Sequence, residues 1–131
     1  MKTKLLTLLA ILSIALFSSC SKDDEGSSLN GTKWIASYST KYYIVLEFSS
    51  NKVYGYFADE DMLVYGNQTQ STYTMSGDDI VFSDLTINWL SIAQYKFSSA
   101  TIANSIMTAP YEWKYNSSDS WSSGTKKFQK Q

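Results

Sequence analysis

The groups of this chain that can do chemistry are one thiol, two short acidic clusters and a large set of aromatic rings. They are Cys20, Asp59-Glu60-Asp61, Asp78-Asp79, and four Trp, ten Tyr and six Phe among 131 residues. Histidine is absent. Without an imidazole there is no histidine-dependent triad, and a single cysteine cannot supply the thiolates of a common zinc site. Paired carboxylates remain. Asp59 and Asp61 fall on one face of an extended segment, whereas glycoside hydrolysis asks for two carboxyls about 5–9.5 Å apart across a cleft, one buried enough to keep its proton. Both acidic clusters read more simply as turns, where a carboxylate accepts local backbone hydrogen bonds. Calcium binding by Asp59, Glu60 and Asp61 lacks the spaced oxygen ligands of a calcium loop. The expectation is a protein that is not an enzyme, with no catalytic residue, no metal ligand and no cofactor, working through its aromatic rings.

Eleven lysines and no arginine stand against twelve Asp plus Glu, for a formal net charge of −1. Nucleic-acid binding needs clustered cations to displace counterions from phosphates, so a nucleic-acid partner is excluded. Tyrosine, serine and threonine dominate the remainder and favour strands.

Met1 to Lys4 is a short basic opening and Leu5 to Phe17 an apolar run, too brief to cross a bilayer but suited to a signal peptide that is cut away. Cys20 follows at once. An exported chain normally pairs its cysteines, so a lone one needs another use. Leu16-Phe17-Ser18-Ser19-Cys20 resembles a bacterial lipobox, and the resemblance implies cleavage before Cys20. Cys20 would then carry a diacylglyceryl thioether and an N-acyl chain such as palmitate, and more than one chain suffices for stable anchoring. A signal peptide cut elsewhere, or a free thiol, is the plain alternative. Lys22-Asp23-Asp24-Glu25 resembles the acidic export tag of Bacteroidetes surface lipoproteins and reads equally as a solvated linker. The expected location is the outer membrane, lipid-anchored at the cell surface, with the periplasmic face left open.

The organisation expected is therefore a signal peptide over 1–19, the acylated Cys20 with a flexible polar linker over 20–30, and one domain over 31–131. The domain reads as strands. Trp34, Ala36 and Tyr38 share one face of the first, with Trp34 at the barrel floor. Tyr43–Ser49 and Lys52–Ala58 form a hairpin through Ser50-Asn51 that places Phe48 opposite Val53, Leu46 opposite Gly55 and Ile44 opposite Phe57. Its other face shows Tyr43, Val45, Glu47, Tyr54 and Tyr56, from which Tyr43, Tyr54 and Tyr56 are candidates for a surface contact. The turn signal Ser76-Gly77-Asp78-Asp79 brings Met75 opposite Ile80 and Tyr73 opposite Phe82. Leu85–Ile92 fits a strand or a helical turn. Gln94–Ser98 and Thr101–Met107 pair through Ser99-Ala100, and Pro110 marks an edge or a bulge. A serine-rich loop over Asn116–Gly124 precedes a last strand over Thr125–Lys130. No helical periodicity of three turns occurs after residue 20. The fold class is all-β, an eight-stranded antiparallel up-and-down barrel with room for a ninth strand.

Four segments carry a further likeness. Leu29-Asn30-Gly31-Thr32-Lys33-Trp34 resembles the entry motif of lipocalin-like domains, Leu46 to Lys52 their second hairpin, Tyr73 to Phe82 their central one, and Lys126-Lys127-Phe128-Gln129-Lys130 their closing strand. The family implied is the small lipocalin-like lipoproteins of Bacteroidetes, with a calycin-type barrel. An eight-stranded interior either fills with side chains or holds one small ligand. Inward Ile44, Leu46, Phe48, Phe57, Tyr73, Met75, Phe82, Tyr95 and Phe97 would fill it; a mouth lined by Trp34, Tyr73, Met75, Trp89 and Tyr95 would instead take an apolar or aromatic ligand. Near the C-terminal loop, Tyr111, Trp113, Tyr115 and Trp121 either grip a sugar or an outer-membrane protein, or plug one barrel end. The function expected is thus a membrane-anchored binding protein, and the alternative is a pocketless accessory subunit with a protein or glycan partner.

Overall fold

The structure is a computed structural model that describes residues 29–131. The expected signal peptide, Cys20 and residues 21–28 of the expected linker lie outside the described residues. Strands β1 (Lys33–Ser37), β2 (Tyr43–Ser49), β3 (Lys52–Ala58), β4 (Val64–Ser76), β5 (Asp79–Trp89), β6 (Ala93–Ala103), β7 (Ile106–Tyr115) and β8 (Ser122–Lys130) follow one another in sequence order. Each pairs antiparallel with the next, and β8 returns to β1, so the sheet closes into an eight-stranded up-and-down barrel compatible with a lipocalin-like fold.

Alternation drives the closure. Every second residue of β2 and β3 is apolar, and burying that set against the other strands fixes which face turns inward. The hairpin has the expected register, with Phe48 opposite Val53, Leu46 opposite Gly55 and Ile44 opposite Phe57. Met75 likewise faces Ile80 and Tyr73 faces Phe82. Inside, Phe48, Phe57, Phe97, Phe128, Ile44, Leu46, Ile80, Leu85, Ile87 and Met107 are all essentially fully buried. Gly55 is part of that packing, because a Cβ there would stand 2.7 Å from Ile87 Cδ1. The missing side chain is space that Ile87 already occupies.

Three strands carry extra residues that shift register midway: β4 between Tyr65 and Thr69, opposite Gly55 and Phe57, β5 between Val81 and Leu85, and β6 between Phe97 and Thr101. A bulge inserts a residue, bends the strand and swaps which parity faces in. That swap explains one departure from expectation. Ser99-Ala100 is not a turn: β6 runs through it, and the chain reverses at Asn104-Ser105, both at positive φ. Asparagine tolerates the left-handed region and alanine does not, so the turn moves to Asn104. Pro110 lies in β7 across from the β6 bulge, where it has no register partner in β6 and pairs with Thr125 of β8. Leu85–Ile92 resolves as strand through Trp89, with Leu85 and Ile87 buried and the turn at residues 90–92.

A second difference concerns the outer face of β2 and β3. Val45 and Tyr56 point away from the interior, yet both are buried and cluster with Ala58, against Ile35, Tyr43 and Met62. Tyr56 is therefore not available as a surface contact, and Tyr43 and Tyr54 are half-buried. Burial, helped by the nearby Glu47 carboxylate, pushes the Tyr56 phenol up to about 12.

The barrel has two distinct ends. Leu29 enters at one, which also carries the turns at 50–51, 77–78 and 104–105 and the last residues of β8. The loops 38–42, 59–63, 90–92 and 116–121 form the far end.

Candidate functional site

The far end is where the aromatic residues converge. Tyr38 continues the inward face of β1, and the turn behind it is held by Tyr38 and Ser39 N–H groups donating to the Tyr42 carbonyl. Trp89, the last residue of β5, packs its ring 4.8 Å from Phe57, 4.9 Å from Tyr42, 5.1 Å from Tyr38 and 5.3 Å from Tyr65. Tyr95 on β6 joins from the other side, its hydroxyl 2.7 Å from that of Tyr38 and its ring stacked at 6.1 Å on Trp113. Tyr111 lies between Tyr95 and Phe97. It crosses directly over Gly124 of β8, where a Cβ would meet the ring at 2.6 Å. Together these rings close the end as a plug, each edge or stacked pair adding about 0.5–1.5 kcal/mol beyond simple burial.

Above the plug the far end is apolar and exposed. Leu63, Val64, Leu90, Ile92, Tyr115 and Trp121 are all there, and among the described residues the one other large exposed hydrophobic is Val81. The loops carrying them are tied by polar bonds. Gln94 Nε2 donates to Asn116 Oδ1 at 3.1 Å, and Asn116 Nδ2 donates to the Ser91 carbonyl at 2.8 Å. Lys114 Nζ sits 5.1 Å from the Trp121 ring, covering one face of the indole.

The five residues expected to line one mouth do not share one. Trp34, Tyr73 and Met75 lie toward the entry end and Trp89 and Tyr95 at the far end, with the packed core between. Trp34 is buried and donates to Thr32 Oγ1 at 3.0 Å; Tyr73 is buried and donates to the Ser50 carbonyl at 2.8 Å. Met75 is half-buried and borders a dent of about 200 Å³ with Trp34, Leu29 and Ile102. Such a dent is below the size of an ordinary ligand site, about 300–1,000 Å³. Depressions of about 420 Å³ and about 450 Å³ lie on the outer wall, one over Lys33, Glu47 and Tyr54, the other over Ile35, Tyr43 and Lys127.

Trp113 and Trp121, paired in the sequence reading, part company. Trp113 faces inward in the plug and Trp121 stands on the rim at 40% exposed. We therefore expect Trp113→Ala to cost about 2 kcal/mol of folding stability and Trp121→Ala to stay within about 0.5 kcal/mol, by urea denaturation. Tyr38, Tyr42 and Tyr65 in the plug, and Leu63, Val64, Leu90 and Ile92 on the rim, were not anticipated. Their signal is their closeness to alternate turns, which places them all at one height of an up-and-down barrel.

The carboxylates do local work. Asp59 Oδ1 accepts from the backbone N–H groups of Asp61 and Leu63 at 3.0 Å, tying its own loop. Among the described residues no group of three or more acidic, cysteine or histidine side chains is placed to hold a metal ion.

Burial holds the Tyr95 and Tyr73 phenols above their usual value, and hydrogen bonding with Tyr65 does the same for Tyr42. An acid whose pKa is higher folded than unfolded keeps its proton better in the folded state. The stability it contributes is whole below the unfolded value near 10 and is lost as pH rises through the folded one. Lys126, lowered by burial, acts with the opposite sign. The raised phenols of buried Tyr56, Tyr73 and Tyr95 outnumber it, so the urea midpoint should hold steady from pH 7 to 9 and fall from about pH 10 upward.

No family model, no curated protein and no solved structure matches the chain.

Proposed function

We propose that this protein is a lipid-anchored, non-enzymatic binding module of the outer membrane, and that it binds a partner through the rim at the far end of its barrel. The observation that carries this reading is the separation of packed interior from exposed rim. Large side chains pack the interior, while exposed apolar residues gathered at one end of a barrel are the usual mark of an interaction site. Anchoring supports it too. The tether of the lipobox reading joins the barrel at Leu29, so the rim is the end turned from the attachment point. Exposed Trp121 and Tyr115, with Asn116 and Ser118 beside them, suit a protein or glycan partner more than a free lipid.

Two measurements test the proposal. Cys20→Ser should move the protein from the membrane to the soluble fraction, since no weak contact of the barrel can replace three acyl chains. A photo-crosslinking amino acid at Trp121 should capture a partner on intact cells, and the same group at Asn104, on the entry end, should not. Equal capture from both positions would remove the rim from the account.

A further inference from the structure

The barrel is closed unevenly. β7 pairs with β8 along its whole length, from Ile106 opposite Gln129 to Trp113 opposite Ser122. β1 is only five residues long and meets β8 at two pairs, Trp34 with Lys130 and Ile35 with Gln129, plus the Gln131 N–H donating to the Lys33 carbonyl. Past Ser37 the chain turns away toward β2. Among the described residues, β8 from Ser122 to Lys127 therefore has a ladder partner on one side and none on the other, with only the Ser37 carbonyl and the Tyr38 ring reached there, by the Lys126 side chain. That is an open strand edge of about 20 Å, at 3.3 Å per residue.

The edge has a chemistry of its own. Lys126 and Lys127 lie on it, Lys130 follows, and β8 contains no acidic residue. Lys126 faces inward, opposite fully buried Ala109, and its ammonium reaches into the notch beyond β1, 2.9 Å from the Ser37 carbonyl and 5.8 Å from the Tyr38 ring. No carboxylate pairs with it: among the described residues the ion pair is Lys33 with Glu47. Lys127 faces outward. The two sides of the edge thus each present one cation, and Trp121 on the rim stands immediately before it.

We propose that an extended, acidic segment of a partner protein adds to this edge as a ninth strand. Main-chain hydrogen bonds along β8 give the affinity, and neighbouring acidic side chains, one on each face, meet Lys126 and Lys127. A second copy of this chain does not suit, because it would bring the same lysines together. The proposal deepens the rim reading and rests on it.

The test uses the whole mature chain carrying Cys20→Ser and a fluorescent eight-residue peptide of valine and threonine with two adjacent glutamates at its centre. Anisotropy should show binding, with amide exchange slowed at residues 122–127. A lysine counterpart should bind at least tenfold more weakly, and a version N-methylated at alternate amides should not bind. Lys127→Glu, an exposed change, should weaken the acidic peptide about tenfold. Absence of binding by the acidic peptide, equal binding by the N-methylated one, or protection elsewhere overturns strand addition and leaves the lysines as mere guards of the edge. Binding that appears only after Asp23, Asp24 and Glu25 are neutralised assigns the edge to the chain's own linker and overturns an external partner. The peptide reads the edge and the crosslinker reads the rim, so failure of one is distinct from failure of the other.

Discussion

Phe57→Ala should remove about 3–5 kcal/mol of folding stability, a large part of the roughly 5–15 kcal/mol a domain of this size possesses. Phe57 is fully buried and stands where the core meets the far-end plug, with rings of Trp89 at 4.8 Å, Tyr38 at 4.9 Å and Tyr95 at 5.6 Å. Truncation loses the burial of the ring and also leaves a void that neither layer can close, since the plug is itself held by ring contacts and the Tyr38–Tyr95 hydroxyl pair. Phe57→Leu keeps most of the volume and should cost no more than about 1.5 kcal/mol. Urea denaturation with tryptophan fluorescence reads both, because Trp89 lies against the altered site. If Phe57→Ala and Phe57→Leu were equally mild, the interior would not be packed as described.

Gly55→Val is the second large effect, and its sign is opposite to the usual one. Glycine in a strand ordinarily costs stability, so a β-branched replacement should help. Here the new Cβ would stand 2.7 Å and 2.8 Å from two atoms of Ile87, which is fully buried and cannot withdraw. We expect a loss of about 3 kcal/mol from overpacking. Ile87→Ala in the same chain makes room, and the double variant should be more stable than the sum of the two single losses by about 1 kcal/mol or more. Strict additivity would mean that the two residues do not compete for one space.

Those two residues also show what could be read before any coordinates. Leu46 opposite Gly55 follows from a two-residue turn at Ser50-Asn51 and strict alternation on both sides, and no bulge disturbs the hairpin between them. The same holds from Tyr73 to Phe82. Alternation fails where a bulge shifts it: Phe97 and Ala100 both face in, which period-two counting cannot reconcile, and the strand runs on through Ser99-Ala100 where small residues suggest a turn. Outward Val45 and Tyr56 were expected at the surface because alternation separates the two faces of a strand but says nothing of what packs on the outer one. Trp34 and Trp89 were joined in one mouth for a related reason. Both face in, but height along the barrel is counted from the turns, and Trp34 sits at the start of β1 while Trp89 sits at the end of β5. The apolar rim is not legible locally because its members are spread over three connections and no local window holds more than two of them.

The uneven closure bears on how the chain reaches this shape at all. Seven of the eight pairings join neighbours in sequence and can form as local hairpins, but Trp34 with Lys130 encloses about 96 residues, a loop whose entropy of closing is about 4 kcal/mol. Among the described residues the hydrogen bonds that offset it across this seam are those of two residue pairs, the Gln131–Lys33 bond and the Lys126–Ser37 bond. Such a clasp should be the last contact to form as the nascent sheet curls and the first to open in the native state, so the amides of β1 and the end of β8 should exchange with solvent ahead of every hairpin.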